Sequence, residues 1–126
     1  MDNFTKKVTI KMAAVAKDLE ACRPAFLAIG DENRHHILIA LLENCVGMRV
    51  GEIAKKTNLS RPAVSHHLKI LRDAGIVNML KKGTMNFYYL DANESQWSQI
   101  ASLVNNINEL VKEVSVNNFP CSKNNN

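Results

Sequence analysis

LSRPAVSHHLKILRDAGIV, residues 59–77, is the stretch on which the fold turns. Ser60 is of a type that caps helix N-termini, so Arg61 and Pro62 take the first two helical positions. Backbone N–H groups there have no intrahelical partner, and proline's missing donor costs little. Val64, His67, Leu68 and Leu71 recur at spacings of three, one and three, which gathers them on one inward stripe. The remaining positions, Arg61, Pro62, Ser65, His66, Lys69 and Arg72, face solvent or a ligand, and no acid interrupts them before Asp73. An ordinary surface helix mixes charges of both signs; this one presents donors to something anionic. Gly75 suits the helix C-terminus.

Upstream, Asn58 tolerates the left-handed conformation that reverses a chain, and VGEIAKKT before it predicts a short helix with Val50, Ile53, Ala54 and Thr57 on one side. Asp31 offers an N-cap for ENRHHILIALLEN, whose Ile37, Leu38, Leu41 and Leu42 predict a buried stripe, and Gly47 punctuates its end. PAFLAIG predicts no more than a short turn of helix. Residues 9–22 carry Met12, Val15, Leu19 and Cys22 at helical spacing until Pro24 interrupts.

Downstream, IVNML and NFYYL are β-rich runs separated by KKGTM, a hairpin whose loop is basic. Tyr88 and Tyr89 fall on opposite faces, one of them packed, with no base-stacking role required. Asn93 followed by Gln96 predicts a capping box opening a last helix. Along it Trp97, Ile100, Val104, Ile107, Val111 and Val114 recur at spacings of three and four, with Leu103 and Leu110 widening the stripe. The fold class is therefore mostly α with a small β-hairpin, a winged helix-turn-helix in the order α-α-α-α-β-β-α. Residues 1–116 are expected to form one domain, and residues 117–126, NNFPCSKNNN, are too poor in apolar side chains to order themselves.

At 126 residues, with 46% hydrophobic and 22% charged residues, the chain fits one globular domain. No apolar run approaches the roughly 18–20 residues of a membrane span, and MDNFTKKVTIK lacks the apolar segment of a secretory signal. A cytoplasmic location is expected, with no membrane partner. Three widely spaced cysteines, Cys22, Cys45 and Cys121, suit a reducing compartment better than a disulfide framework. Between residues 49 and 82 eight bases face two acids, Glu52 and Asp73; this local charge of +6 leaves −2 elsewhere out of a total of +4. Such a block suits a nucleic-acid contact surface, with a merely solvated face as the competing reading of charge alone. No phosphate-cradling glycine loop, nucleophile elbow or carboxylate cluster supports catalysis.

The segment 59–77, with LAIGDENRHHILIALL before it and the hairpin ending in NFYYL after it, closely resembles the ArsR family of bacterial winged-helix repressors. Ser60, Pro62, Ser65, His67, Leu68, Leu71 and Gly75 together with the wing carry the resemblance, which extends over about residues 22–114. It implies a homodimer on double-stranded operator DNA, the helix in the major groove and the wing on backbone or minor groove, repressing transcription until an inducer arrives. Arg61 then presents a bidentate fork to guanine, Ser65 and His66 reach base edges, and Pro62 meets a thymine methyl. Lys69, Arg72, Lys81 and Lys82 hold the backbone, Ser60 adds a phosphate contact at the helix N-terminus, and Thr84 is a further DNA-binding residue. His67, on the inward side, reads as a satisfied core histidine.

Two recognition helices about one DNA turn apart are needed to read an inverted repeat, so dimerisation follows. Met12, Val15 and Leu19 on the first helix and Trp97, Ile100, Val104, Ile107 and Val111 on the last supply the interface. Metal-sensing relatives place a Cys-x-Cys pair where this chain has Arg49 and Gly51, and others use histidines on the last helix, where none occurs between Asn93 and Val116. No metal site or cofactor is expected. Cys22 and Cys45 stand near helix ends and would serve a thiol switch if brought together, although buried structural thiols are the simpler expectation. The inducer, small molecule or oxidant, is not legible. A winged helix that binds protein or RNA without operator preference is the alternative function.

Overall fold

The computed structural model describes residues 2–93 and 95–116. These form two compact units: residues up to Cys22 together with those from Gln99 onward, and Arg23–Ser98. The predicted tail, with Cys121, lies outside the described residues.

The unit spanning Arg23–Ser98 contains helices α2 (Arg23–Ile29), α3 (Glu32–Glu43), α4 (Val50–Thr57) and α5 (Arg61–Asp73), then strands β1 (Asn78–Lys82) and β2 (Met85–Tyr89). Ile37 and Leu41 of α3, Ile53 of α4, and Val64, Leu68 and Leu71 of α5 are almost wholly buried, joined by Ile76 and Val77. Each such side chain contributes on the order of 1.5–3 kcal/mol of burial, so this trihelical core holds α5 in place. The predicted stripe of α3 needs one correction: Leu42 is 69% exposed, and Ala40 is buried in its stead. Turning by 100° per residue, α3 packs against its neighbours through a narrow arc that ends at Leu41.

Local chemistry sets the helix ends. Asp31 caps α3 by accepting from the Arg34 backbone N–H at 3.1 Å. Asn58 closes α4 at φ 59, and the Ser60 hydroxyl accepts from Ala63 N at 3.2 Å to open α5 with Pro62 in its first turn. At the other end of α5, Ile76 N bonds Leu71 O and Gly75 N bonds Arg72 O, both at 2.9 Å, the paired closure of a Schellman motif with Gly75 at φ +75.

The hairpin departs from its predicted bounds. Pairing runs from Asn78 opposite Tyr89 to Lys82 opposite Met85, so the connection is the two residues Gly83 and Thr84 rather than KKGTM. Gly83 takes φ +63, the first position of a tight turn whose twist matches the strands it joins. Ile76 and Val77, predicted as strand, belong to the core that precedes it. Met48 adds a third, single-residue strand, exchanging N–H and C=O bonds with Tyr88 at 2.9 and 2.8 Å. Five helices, not four, precede the hairpin, because α2 closes over seven residues.

The last helix, α6 (Gln96–Val116), begins later than the capping box at Asn93 predicts. Asn93 N is taken by Asp91 instead, Trp97 N bonds the Ser95 hydroxyl, and Gln96 N reaches Gly75 O at 3.1 Å. Gln96 Oε1 is buried and meets no hydrogen-bond partner among the described residues. The indole N–H of Trp97 donates to Ile76 O at 2.8 Å.

In the other unit, α1 (Asn3–Ala21) starts six residues before the apolar spacing of residues 9–22 predicts, because Asp2 caps it by accepting from Thr5 N at 2.7 Å. Val8 and Cys22 are buried there, as are Leu103 and Val114 of α6, and Lys11 pairs with Glu113 at 2.9 Å.

Candidate nucleic-acid interface

The cap at Ser60 determines which residues of α5 are outward: with Val64, Leu68 and Leu71 buried, Arg61, Pro62, Ser65, His66, Lys69 and Arg72 are all exposed. Ser65, Lys69 and Arg72 share a concavity of about 450 Å³ with Asp73 and with Tyr88 of β2. The α5 face and the wing thus frame one basic depression. Tyr88 was not identified as part of it from sequence. No sequence signal marked it, because its place is set by a single-residue pairing with Met48, which ties β2 to the segment leading into α4.

The cations on this surface differ in what already engages them. Lys69 Nζ lies 3.0 Å from Asp73 Oδ2, an i,i+4 pair with both side chains about three-quarters exposed. Such pairs hold only about 0.3–0.5 kcal/mol. Arg49, at the N-cap of α4, binds Glu52 through its own backbone N–H and Nε and extends Nη1 to Met85 Sδ at 3.4 Å. The backbone bond from Arg49 is the main cause holding the Glu52 carboxyl below its ordinary pKa; burial opposes it, and the Arg49 side chain adds a lesser lowering. Arg61 makes no hydrogen bond or ion pair among the described residues; its guanidinium lies against Gly51, the second residue of α4. A Cβ built on Gly51 would stand 2.9 Å from Nη2 and 3.1 Å from Cζ of Arg61.

Lys81, Lys82 and Thr84 are exposed on the wing. Alternation sends Lys81 and Lys82 to opposite faces of the hairpin, and Lys82 Nζ sits 5.6 Å from the centre of the Phe87 ring. The predicted loop lysines are therefore strand residues, and only Thr84 stands in the turn. His67 is the satisfied inward histidine expected: Arg34 Nη1 lies 3.3 Å from His67 Nδ1 while Arg34 Nε donates to Ala28 O at 2.6 Å. A guanidinium only donates, so Nδ1 accepts and the imidazole is neutral with its proton on Nε2. Burial lowers the His67 pKa; Asp31 pulls it upward, and Arg34 and His66 add smaller lowering contributions.

The residues expected at a dimer interface divide. Met12 and Leu19 of α1 are 44% and 46% exposed, and Val104 and Val111 of α6 are 54% and 57% exposed, whereas Val15, Ile100 and Ile107 are half-buried. Trp97 is half-buried and spends its polar end on Ile76. The cysteines also divide. Cys22 is buried and Cys45 exposed, both as free thiols, so the expectation of two buried structural thiols holds for Cys22 alone. No group of three or more potential metal ligands occurs among the described residues, and none of their helices is long and apolar enough to cross a membrane.

Comparison with known proteins bears on this surface directly. The profile of a family described as "Bacterial regulatory protein, arsR family" matches residues 31–79, from the cap of α3 into β1. An uncharacterised HTH-type transcriptional regulator of Methanocaldococcus jannaschii is 45% identical over 74 residues, 56% of this chain and 79% of that protein. The transcriptional repressor SdpR of Bacillus subtilis is 38% identical over 84 residues, 67% of this chain and 90% of its own length. Among solved structures, HlyU from Vibrio cholerae superposes with a TM-score of 0.51 at 34% identity, covering 71% of this chain and 88% of HlyU. Both sequence relatives are named as regulators of transcription. An outward basic face on α5, a wing beside it, a family profile that spans α5 and a repressor aligned over 90% of its length agree: the chain belongs to the ArsR family and is a DNA-binding transcriptional regulator of the winged helix-turn-helix type.

Proposed function

We propose that this protein is a homodimeric repressor that lays two α5 helices into successive major grooves of an inverted-repeat operator. The observation that carries the reading is the shared depression of Ser65, Lys69, Arg72 and Tyr88, which offers donors from helix and wing to one stretch of duplex. In this arrangement Arg61, Ser65, His66 and Pro62 address base edges. Ser60, Lys69, Arg72, Lys81, Lys82, Thr84 and the Tyr88 hydroxyl address phosphates, setting register without reading sequence. The apolar side chains left open on α1 and α6, chiefly Met12, Leu19, Val104 and Val111, support pairing of two protomers, since a monomer would expose them to water.

Repression is preferred because SdpR is a transcriptional repressor that aligns over 90% of its length; a relative in Vibrio cholerae, matched over 60% of its length, is a transcriptional activator. Footprinting on the protein's own upstream region, run beside a promoter-fusion reporter, tests both parts. Protection of an inverted repeat with half-sites about 10 bp apart, and a reporter that falls as the protein rises, is the expected result. Uniform protection without symmetry would defeat the operator reading. A reporter that rises would reassign the protein as an activator.

A further inference from the structure

We propose that Gly51 is a positioning residue for sequence reading: its bare Cα forms a shelf on α4 that holds the Arg61 guanidinium flat and free for the DNA. The inference rests on Arg61 being a base-reading residue, as proposed above.

Gly51 has no conformational reason to be glycine. It is the second residue of α4, and it is not among the positive-φ positions of the described chain, which are Asn58, Gly47, Gly75 and Gly83. In a helix, glycine in place of alanine costs stability through its extra backbone freedom. What it supplies here is room. A Cβ would lie 2.9, 3.1 and 3.5 Å from Nη2, Cζ and Nε of Arg61, so the whole planar group rests on the place a side chain would fill. Those contacts are with the far end of a flexible side chain, so adding a methyl group displaces the guanidinium rather than the helix.

Two features make the shelf useful for recognition. Arg61 makes no hydrogen bond or ion pair among the described residues, so all five of its N–H donors remain available. The carboxylate next to Gly51 in the chain, Glu52, is already held by the backbone N–H and Nε of Arg49 at 3.0 and 3.4 Å. A fork that must meet guanine O6 and N7 together gains most from being held in one orientation before binding, because its rotamer freedom is not lost at that moment.

The test compares wild type, Gly51→Ala, Arg61→Ala and the double variant, as full-length proteins, on a randomised pool of duplex oligonucleotides, with melting temperatures measured in parallel. Arg61→Ala is expected to lower discrimination at one position of each half-site by about five- to 150-fold, the range of a bidentate pair. Gly51→Ala is expected to lose discrimination at that same position, with an unchanged or raised melting temperature, and to add nothing in the double variant. Selectivity equal to wild type in Gly51→Ala, beside a loss in Arg61→Ala, overturns the shelf while leaving the base-reading role intact. If Arg61→Ala keeps full selectivity, both readings fall. A Gly51→Ala defect that persists on the Arg61→Ala background, or that weakens every sequence alike, also overturns the shelf, because it then acts other than through Arg61.

Discussion

His67 sits where the recognition helix meets the rest of its unit, with Nδ1 accepting from Arg34. Its folded pKa is lowered, first by burial, so the unfolded chain takes up the proton more readily. The associated stability is complete above the ordinary histidine range and is lost as pH falls through about 6.5 toward the lowered folded value. Melting temperature should therefore decline between about pH 7 and 5, and His67→Gln should flatten that segment, since the amide oxygen still accepts from Arg34 but does not titrate. Asp31 and Glu52, both with lowered carboxyl pKa values, act in a separate and more acidic window. A decline of equal steepness in the His67→Gln protein would place its origin elsewhere.

At the scale of elements, the ends of α5 are where a small chemical change has the clearest structural cost. Ser60→Ala removes the acceptor of the Ala63 N–H and should cost about 1 kcal/mol. Gly75→Ala forces a side chain into φ +75 and sets its Cβ 2.8 Å from Gln96 Cγ. The backbone penalty alone is on the order of 1–2 kcal/mol, so this variant should be the less stable of the two. Urea unfolding monitored by circular dichroism ranks them, and the opposite order would mean that Gly75 relaxes without strain. These ends were legible in the sequence because Asp31, Asn58, Ser60 and Gly75 act within four residues of themselves. The wing was legible as a hairpin but not in register: Ile76 and Val77 have the composition of strand, yet they are spent on the core at the close of α5. Leu42 failed for a related reason. Helical periodicity shows which residues share a face, whereas the width of the buried arc depends on partners that lie far off in the chain.

For the molecule as a whole, the proposed dimer makes a prediction separable from DNA binding by each protomer. Val104→Asp with Val111→Asp places charge on two exposed positions of α6 and should leave the fold intact, since neither residue is buried. Sedimentation should then show a monomer, with residual DNA affinity that no longer distinguishes paired from single half-sites. A stable dimer in this variant would move the interface elsewhere. Here too the sequence spoke unevenly. Its periodic row along the last helix included Leu103 and Val114, which are buried, and Trp97, which is bonded to Ile76, together with the open valines. Periodicity cannot separate a stripe used at home from one left for a partner. The pairing of Met48 with Tyr88 was invisible for want of length, because one residue carries no alternation.

Lys69 and Asp73 make up a neutral dipole 3.0 Å long on the face proposed to meet DNA. If Lys69 turns to a phosphate, the carboxylate it abandons stays close to the duplex and retains a counterion that the phosphate contact would otherwise have shed. The logarithmic dependence of operator affinity on ionic strength should then be shallower, by roughly 0.9 per protomer, than a tally of contacting cations gives. Tight binding would persist over a wider range of ionic strength, with one acid on an otherwise basic face acting as a moderator of its grip.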